Sequence, residues 1–292
     1  MKQLLIGAMA LFAAQSTQAE VVAQGVLSIV AAENFYGEIA QTIGGTQVAV
    51  TSILSNPNQD PHLFEASPST ARAVAHAHIV IVNGAAYDPW MDRLLEASPN
   101  PKREVLNVAS VTGHKRGDNP HLWYDPATMP AVARVLTARL TLCDPPNANA
   151  YRERHNAFIR SLVPLTEKVT ALKSRFAGTP VTATEPVFGY MASALGLEMR
   201  NDGFQLAIMN GTEPSPRQVA AFESSLRDRT VKVLIYNSQV SDDTTSRLKR
   251  IADEAGVPVV GVTETMPAGK TYVQWMVDQL EALQAALSQG DR

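Results

Sequence analysis

The segment ANAYRERHNAFIRSLVPLTEKVTALKSRF, residues 148–176, carries the most sustained helical pattern in the chain. Its apolar side chains recur mostly every three or four positions, with charged residues between them, as on one face of an α-helix. These side chains are Tyr151, Phe158, Leu162, Leu165, Val169, Leu172 and Phe176. Pro164 removes one backbone donor, so we expect a kink or an interruption there. The segment therefore predicts a long helix in the middle of the chain.

On both sides of this helix, β-branched apolar runs alternate with helical patterns. The predicted strands are Val26–Ala31, Gln47–Leu54, His78–Val82 and Glu104–Val108 before it, and Pro180–Ala183, Val231–Tyr236 and Val257–Val262 after it. The predicted helices are Glu33–Ile43, Pro68–Ala75, Pro89–Ala97, Val187–Leu195, Pro216–Leu226, Asp242–Glu254 and Tyr272–Leu287. Such alternation is typical of parallel sheets covered by helices on both faces. We therefore predict an α/β protein of two lobes, each with a mainly parallel sheet flanked by helices, joined by one long rigid helix.

The N-terminus predicts export. Met1-Lys2 precedes an apolar run from Leu4 to Ala14, and a small residue, Ala19, stands at the expected cleavage point. The run is shorter than the roughly 20 residues that a membrane-spanning helix needs. We expect a signal peptide over residues 1–19, an N-terminal lobe over 20–147, a linker helix over 148–177 and a C-terminal lobe over 178–292.

Cysteine content and charge narrow the class of protein further. Cys143 is the single cysteine, so no intramolecular disulfide can form, and no cysteine follows the apolar run to accept a lipid anchor. A net charge of −3 provides no basic surface for nucleic acid. We expect a freely soluble periplasmic monomer that binds no nucleic acid.

Two Pro-His elements are the strongest functional signal. One is Asp60-Pro61-His62, and the other is Asn119-Pro120-His121; both lie in segments rich in turn-forming residues. Proline fixes its own φ and restricts the residue before it, so both histidines start from stiffened backbones. A metal site assembled from distant segments needs loops of this kind.

Two acidic residues could complete such a site. Glu185 and Glu264 each come soon after an apolar strand-like run, and ligands of open α/β sheets bind at the carboxyl ends of strands. Taken alone, Glu185 could be an acidic residue at a helix start, and Glu264 a solvated loop residue. Two imidazoles with two carboxylates form a donor set that suits Mn²⁺, Fe²⁺ or Zn²⁺. His114 is a candidate auxiliary ligand, and Trp123 and Asp125 are candidates to support an imidazole.

The chain resembles the metal-binding solute-binding proteins of bacterial zinc and manganese ABC importers, the ZnuA/TroA-like family. The resemblance covers nearly the whole mature chain. It is carried, in order, by Asn58–Glu65, Val82-Asn83-Gly84 with Asp88-Pro89-Trp90, Asn119–Trp123 and Thr212–Gln218. It implies two α/β lobes joined by a rigid helix, and a receptor that delivers a divalent metal to an inner-membrane ABC permease.

The resemblance also implies the ligands. His62 and His121 match the two histidine ligands of the first lobe, and Glu185 matches the third position, where zinc-type members tend to have His and manganese-type members Glu. Glu264 falls where the family has an aspartate, one methylene shorter. The expected cargo is Mn²⁺ or Zn²⁺, with Fe²⁺ as a further candidate and Mn²⁺ favoured, and the expected activity is binding rather than catalysis.

The alternative is an exported metal-dependent hydrolase. Such an enzyme would need an open coordination position beside a carboxylate base. The sequence contains no His-Glu-x-x-His helix, no Gly-x-Ser-x-Gly elbow and no phosphate-binding Gly-rich loop ending in Gly-Lys.

Overall fold

Two parallel sheets organise the protein. The computed structural model describes residues 25–240 and 242–289, so the expected signal peptide lies outside the described residues. The sheet of the first lobe contains β1 (Leu27–Glu33), β2 (Val48–Leu54), β3 (Ile79–Val82) and β4 (Glu104–Asn107), in the order β2-β1-β3-β4. The sheet of the second lobe contains β5 (Pro180–Ala183), β6 (Glu198–Arg200), β7 (Leu234–Asn237) and β8 (Val259–Val262), in the order β6-β5-β7-β8. Every pairing is parallel, which confirms the predicted α/β class with two parallel sheets.

Helices connect and cover these strands. They are α1 (Asn34–Gly44), α2 (Pro68–His76), α3 (Pro89–Ala97), α4 (Val108–Thr112), α5 (Thr128–Cys143), α6 (Ala148–Ser161), α7 (Val163–Phe176), α8 (Gly189–Ala194), α9 (Asp202–Met209), α10 (Pro216–Arg227), α11 (Asp243–Ala255) and α12 (Tyr272–Gln289). Several begin at capping side chains that accept a backbone N–H of the first turn, as Ser67, Ser215 and Asp242 do. Over the described ranges, we find no helix long and apolar enough to cross a bilayer.

The central helical pattern folds as two helices in succession. Helix α6 ends at Ser161, Leu162 caps it, and α7 begins at Val163 with Pro164 in its first turn. Proline is tolerated there because the first N–H groups of a helix have no partner within it. The predicted interruption is therefore found, and α6 with α7 forms the connection between the two sheets.

The lobes share one aromatic core. Trp123 and Tyr124 of the first lobe are buried against α12. Tyr272 donates a hydrogen bond from its hydroxyl to the Trp123 carbonyl at 2.7 Å, and the Tyr124 hydroxyl donates to the Thr263 carbonyl at 2.7 Å. Buried hydrogen bonds inside an apolar core resist separation because each group would lose its partner. These contacts therefore join the two lobes firmly on the side where α12 lies.

Glu33 is an unpaired acid inside this core. It ends β1, is 1% exposed, and neither carboxylate oxygen has a hydrogen-bond partner among the described residues. Burial, and then the nearby charge of Asp88, raise the pKa of Glu33 well above its ordinary value. A carboxyl in such surroundings is retained in its neutral form.

Replacement of Glu33 by glutamine should change how stability depends on pH. Because the pKa of Glu33 is higher in the folded chain than in the unfolded chain, the wild type loses stability as pH rises above the unfolded value, by at most about 1.4 kcal/mol per pH unit. Glu33→Gln should escape this loss, so its free energy of unfolding relative to wild type should increase from pH 5 to pH 8. Urea denaturation at both pH values measures it, with exposed Glu153→Gln as the control. A difference that does not vary with pH would contradict the expectation.

Candidate metal site

The first lobe presents two histidines in different settings. His62 lies in a single 3-10 turn, Pro61–Leu63, on the loop after β2, and its backbone N–H donates to Asp60 Oδ1 at 2.8 Å. Its side chain is 42% exposed. His121 immediately precedes another 3-10 turn and is only 1% exposed. One imidazole is therefore held in the interior, and the other lies at the mouth of the cleft.

The second lobe presents two carboxylates at one edge of its sheet. Glu185 follows β5 and Glu264 follows β8, with β7 between these strands. Asn237, the last residue of β7, donates from Nδ2 to Glu185 Oε2 at 3.1 Å and to Glu264 Oε1 at 2.6 Å. Because the carboxyl ends of parallel strands meet at the same edge, Asn237 can align both carboxylates.

The predicted residues meet at Glu264. One side-chain atom each from His62, Glu185 and Glu264 lie within 4.8 Å of one another. His62 Nε2 is 3.6 Å from Glu264 Oε1, and His121 Nε2 is 3.3 Å from Glu264 Oε2. The structure thus brings together two side chains from each lobe. Their role as metal ligands stays a prediction.

The protonation of His121 follows from its neighbour. The Asn119 amide group donates from Nδ2 to the Pro186 carbonyl at 2.7 Å, so its Oδ1 must face the other way. That oxygen lies 2.7 Å from His121 Nδ1 and also accepts the His121 backbone N–H at 3.1 Å. The Nδ1 atom therefore donates to Asn119, and Nε2 faces Glu264, where it is a donor in the imidazolium and an acceptor in the neutral ring.

Charge balance couples these groups. Burial acts to raise the pKa of Glu264, but His121 and His62 beside it outweigh burial and hold that pKa well below its usual range. The adjacent Glu264 carboxylate raises the pKa of His62 to about 9. Burial, partly offset by the Asn237 hydrogen bond, raises the pKa of Glu185 to about 7. Protons thus supply the positive charge that a cation would bring.

The remaining candidates have other partners. His114 Nδ1 lies 2.9 Å from Thr112 Oγ1, and the ring packs edge-on against Tyr190 rather than joining the carboxylates. Asp125 accepts the Ala127 N–H at 2.9 Å, an ordinary turn contact. Trp123 packs against the His121 ring with centroids 5.4 Å apart. Of these three, only Trp123 touches an imidazole of the site.

Asn237 and Gln239, whose side-chain amides contact Glu264, were not among the residues predicted from the sequence. Asn237 stands one position beyond the predicted strand Val231–Tyr236, where a polar residue ending a buried run was a usable signal. Gln239 follows two residues later and accepts the backbone N–H of Glu264 at 2.5 Å. Nothing in its sequence context distinguishes Gln239 from any loop glutamine.

Comparison with known proteins agrees with this architecture. The manganese-binding lipoprotein MntA of Halalkalibacterium halodurans is 23% identical over 279 residues, covering 90% of this chain and 89% of that protein. The metal ABC transporter substrate-binding lipoprotein ScbA of Streptococcus cristatus is 24% identical over 286 residues, covering 90% and 89%. The crystal structure of the periplasmic zinc-binding protein TroA from Treponema pallidum superimposes with a TM-score of 0.76 at 19% identity, covering 90% of this chain and 99% of TroA.

A family model extends the agreement over most of the sequence. The model described as ZnuA, zinc-uptake complex component A, periplasmic, matches residues 29–286, a span that contains all of the predicted ligands and both sheets except the first two residues of β1. The chain therefore belongs to the family of periplasmic zinc-uptake component A proteins.

Proposed function

We propose that the protein is the extracytoplasmic substrate-binding component of a metal ABC importer, and that it holds a divalent transition metal as cargo between its lobes. One observation carries the proposal. His121 Nε2 and Glu264 Oε2 lie 3.3 Å apart, fully buried, and neither has a hydrogen-bond partner among the described residues. Buried polar atoms without partners are costly. A cation between them would satisfy both.

Each of the four predicted ligands would contribute differently to metal binding. His121, with its Nδ1 proton held by Asn119, offers a lone pair from a fixed direction. Glu185 and Glu264, aligned by Asn237, supply negative charge. His62 is the exposed member and would close the coordination sphere from the first lobe. Four protein ligands leave little room for a reactive water, so the site favours binding over catalysis.

The donor set favours Mn²⁺ as the cargo, because carboxylate oxygens suit it and Glu185 stands where a third imidazole would favour zinc. Zn²⁺ should also bind in a test tube, since divalent affinities generally follow the Irving–Williams order. The relatives MntA and TroA are named for manganese and zinc respectively, in line with either cargo. None of the relatives compared is named a hydrolase, so the alternative of an exported enzyme gains no support.

We further propose a freely diffusing periplasmic form that delivers its cargo to an inner-membrane permease. Cys143, the single cysteine, lies in α5, whereas MntA and ScbA are named lipoproteins. The proposed mature chain starts at Glu20, with lobes over 20–147 and 178–292 and a linker over 148–177. Cell fractionation with N-terminal sequencing tests this. Recovery only in the membrane fraction would contradict it.

Metal content tests the proposed cargo. The wild-type protein, purified from periplasm, should carry about one Mn per chain, and Glu185→Ala should lose it because only one second-lobe carboxylate remains. Exposed Glu153→Ala is the matched control and should keep the metal. If the protein instead carries about one Zn per chain, the proposed receptor function stands and the cargo is Zn²⁺ rather than Mn²⁺. A wild-type protein without metal, even after reconstitution, would contradict the proposal.

A further inference from the structure

One side chain connects the two loops that carry His62 and Glu264. Gln239 lies on the loop after β7 and belongs to the second lobe. Its Oε1 accepts the backbone N–H groups of Glu264 at 2.5 Å and Thr265 at 2.9 Å. Two N–H donors on one atom identify that atom as the oxygen, so the NH₂ group must point the other way.

The NH₂ group of Gln239 points across the cleft. Nε2 donates to the Gln59 carbonyl of the first lobe at 2.9 Å, and it lies 3.3 Å from Thr265 Oγ1. Gln59 precedes His62 by three residues on the same loop. A single planar amide thus ties the backbone beside one predicted ligand to the backbone that carries another.

The His62 loop is the less firmly held of the two first-lobe ligand segments. On the His121 side, Asn119 donates to the Pro186 carbonyl at 2.7 Å and accepts at its own carbonyl from the Tyr190 hydroxyl at 2.8 Å. On the His62 side, the Gln239–Gln59 hydrogen bond is exposed, and His62 itself is 42% exposed. Exposed backbone contacts with few buried partners open at low free energy.

We propose that Gln239 is a positioning residue for cargo exchange. Its oxygen holds the Glu264 backbone in place. Its NH₂ group holds the His62 loop to the second lobe through the hydrogen bond to the Gln59 carbonyl, which we call the latch. Cargo then enters and leaves when the Gln239–Gln59 hydrogen bond opens and His62 moves away. The role in exchange rests on the proposed function, whereas the latch itself belongs to the protein with or without metal.

Two variants separate the halves of this role. Gln239→Glu keeps oxygens for the Glu264 and Thr265 N–H groups but has no donor for the Gln59 carbonyl. Gln239→Ala loses both halves. Gln41→Ala is the matched control, because Gln41 is an exposed glutamine whose amide makes one local hydrogen bond, to the Gly45 carbonyl at 2.8 Å.

Amide hydrogen exchange of the metal-free proteins, followed by NMR, reads the latch directly. In Gln239→Glu, exchange at the Leu63 and Phe64 amides should be about tenfold faster, the effect of one lost hydrogen bond, while the Glu264 and Thr265 amides keep their protection. In Gln239→Ala, all four should exchange faster, and Gln41→Ala should match wild type. Unchanged exchange at Leu63 and Phe64 in Gln239→Glu would overturn the latch.

Metal release tests the consequence. Mn²⁺ should dissociate into excess chelator about tenfold faster from Gln239→Ala than from wild type or Gln41→Ala. Equal rates in Gln239→Ala and wild type would overturn the role in exchange. A wild type that binds no Mn²⁺ or Zn²⁺ would instead contradict the proposed function, and hydrogen exchange would still decide the latch.

Discussion

Replacing Glu264 with glutamine should weaken Mn²⁺ binding about a thousandfold, or about 4 kcal/mol. The carboxylate is 1% exposed, accepts from Asn237, and has both histidines within 3.6 Å. It is therefore the side chain at which all of the predicted ligands meet. A glutamine amide preserves the shape and the Asn237 contact, but it brings a neutral group, and its NH₂ end would repel a cation. Isothermal titration with Mn²⁺ measures the loss.

Two companion variants make this result specific. Glu254→Gln, on the exposed face of α11, should bind as wild type does, because it removes the same charge far from the cleft. Glu264→Asp should bind about tenfold more weakly than wild type, since a side chain one methylene shorter cannot keep the Asn237 hydrogen bond and reach both histidines. If Glu264→Gln binds within about tenfold of wild type, Glu264 is not a ligand.

Mn²⁺ affinity should rise about tenfold for each pH unit between about 7 and about 9, and more steeply below that range. Without metal, the adjacent Glu264 carboxylate keeps a proton on His62, whose pKa is about 9, and burial keeps a proton on Glu185 below about pH 7. Below about pH 7 the cation must displace the protons of both His62 and Glu185, whereas between about pH 7 and about pH 9 it must displace only the His62 proton. Competition with a chelator of known pH dependence measures the apparent affinity from pH 6 to pH 8.5.

A variant at a histidine outside the site serves as the control for the pH dependence. His155→Gln changes an imidazole on α6, outside the cluster, and should leave the slope unchanged. An affinity that stays constant from pH 7 to pH 8.5 would show that no proton leaves His62 on binding. Affinity that falls as pH rises would contradict the whole account of charge balance.

Local chemistry marks four candidate ligands in the sequence, and their role in metal binding stays a prediction. Proline next to a histidine in a turn-rich segment marks His62 and His121, the position after an apolar strand marks Glu185 and Glu264, and the family resemblance joins the four into one set. The parallel topology places Glu185 and Glu264 near each other, because it brings the carboxyl ends of β5, β7 and β8 to one edge of the sheet. These signals depend only on residues adjacent in the chain and on a general rule of α/β sheets.

The supporting amides were not predictable in the same way. The roles of Asn119, Asn237 and Gln239 depend on partners 67, 52 and 180 residues away, namely Pro186, Glu185 and Gln59. A glutamine in a loop, such as Gln239, is also typical of ordinary turns and carries no distinguishing signal, whereas Asn237 carries a local one because it ends a buried strand. Only the tertiary contacts show which atoms these three amides hold.

Parts of the fold were missed for a related reason. Strand β6 contains Glu198 and Arg200, both exposed, and forms an edge of its sheet, so it shows no apolar run. The predicted strand from Val231 begins at Leu234 in the structure; Val231 and Val233 are buried but lie before the strand. Burial and strand pairing are separate properties, and the sequence pattern reports only burial.

Anomalous diffraction from crystals grown with Mn²⁺ would locate the metal. One strong anomalous peak is expected between the lobes, within bonding distance of His62 Nε2, His121 Nε2 and at least one carboxylate oxygen from each of Glu185 and Glu264. A peak that lies elsewhere, or that contacts residues of only one lobe, would contradict this expectation.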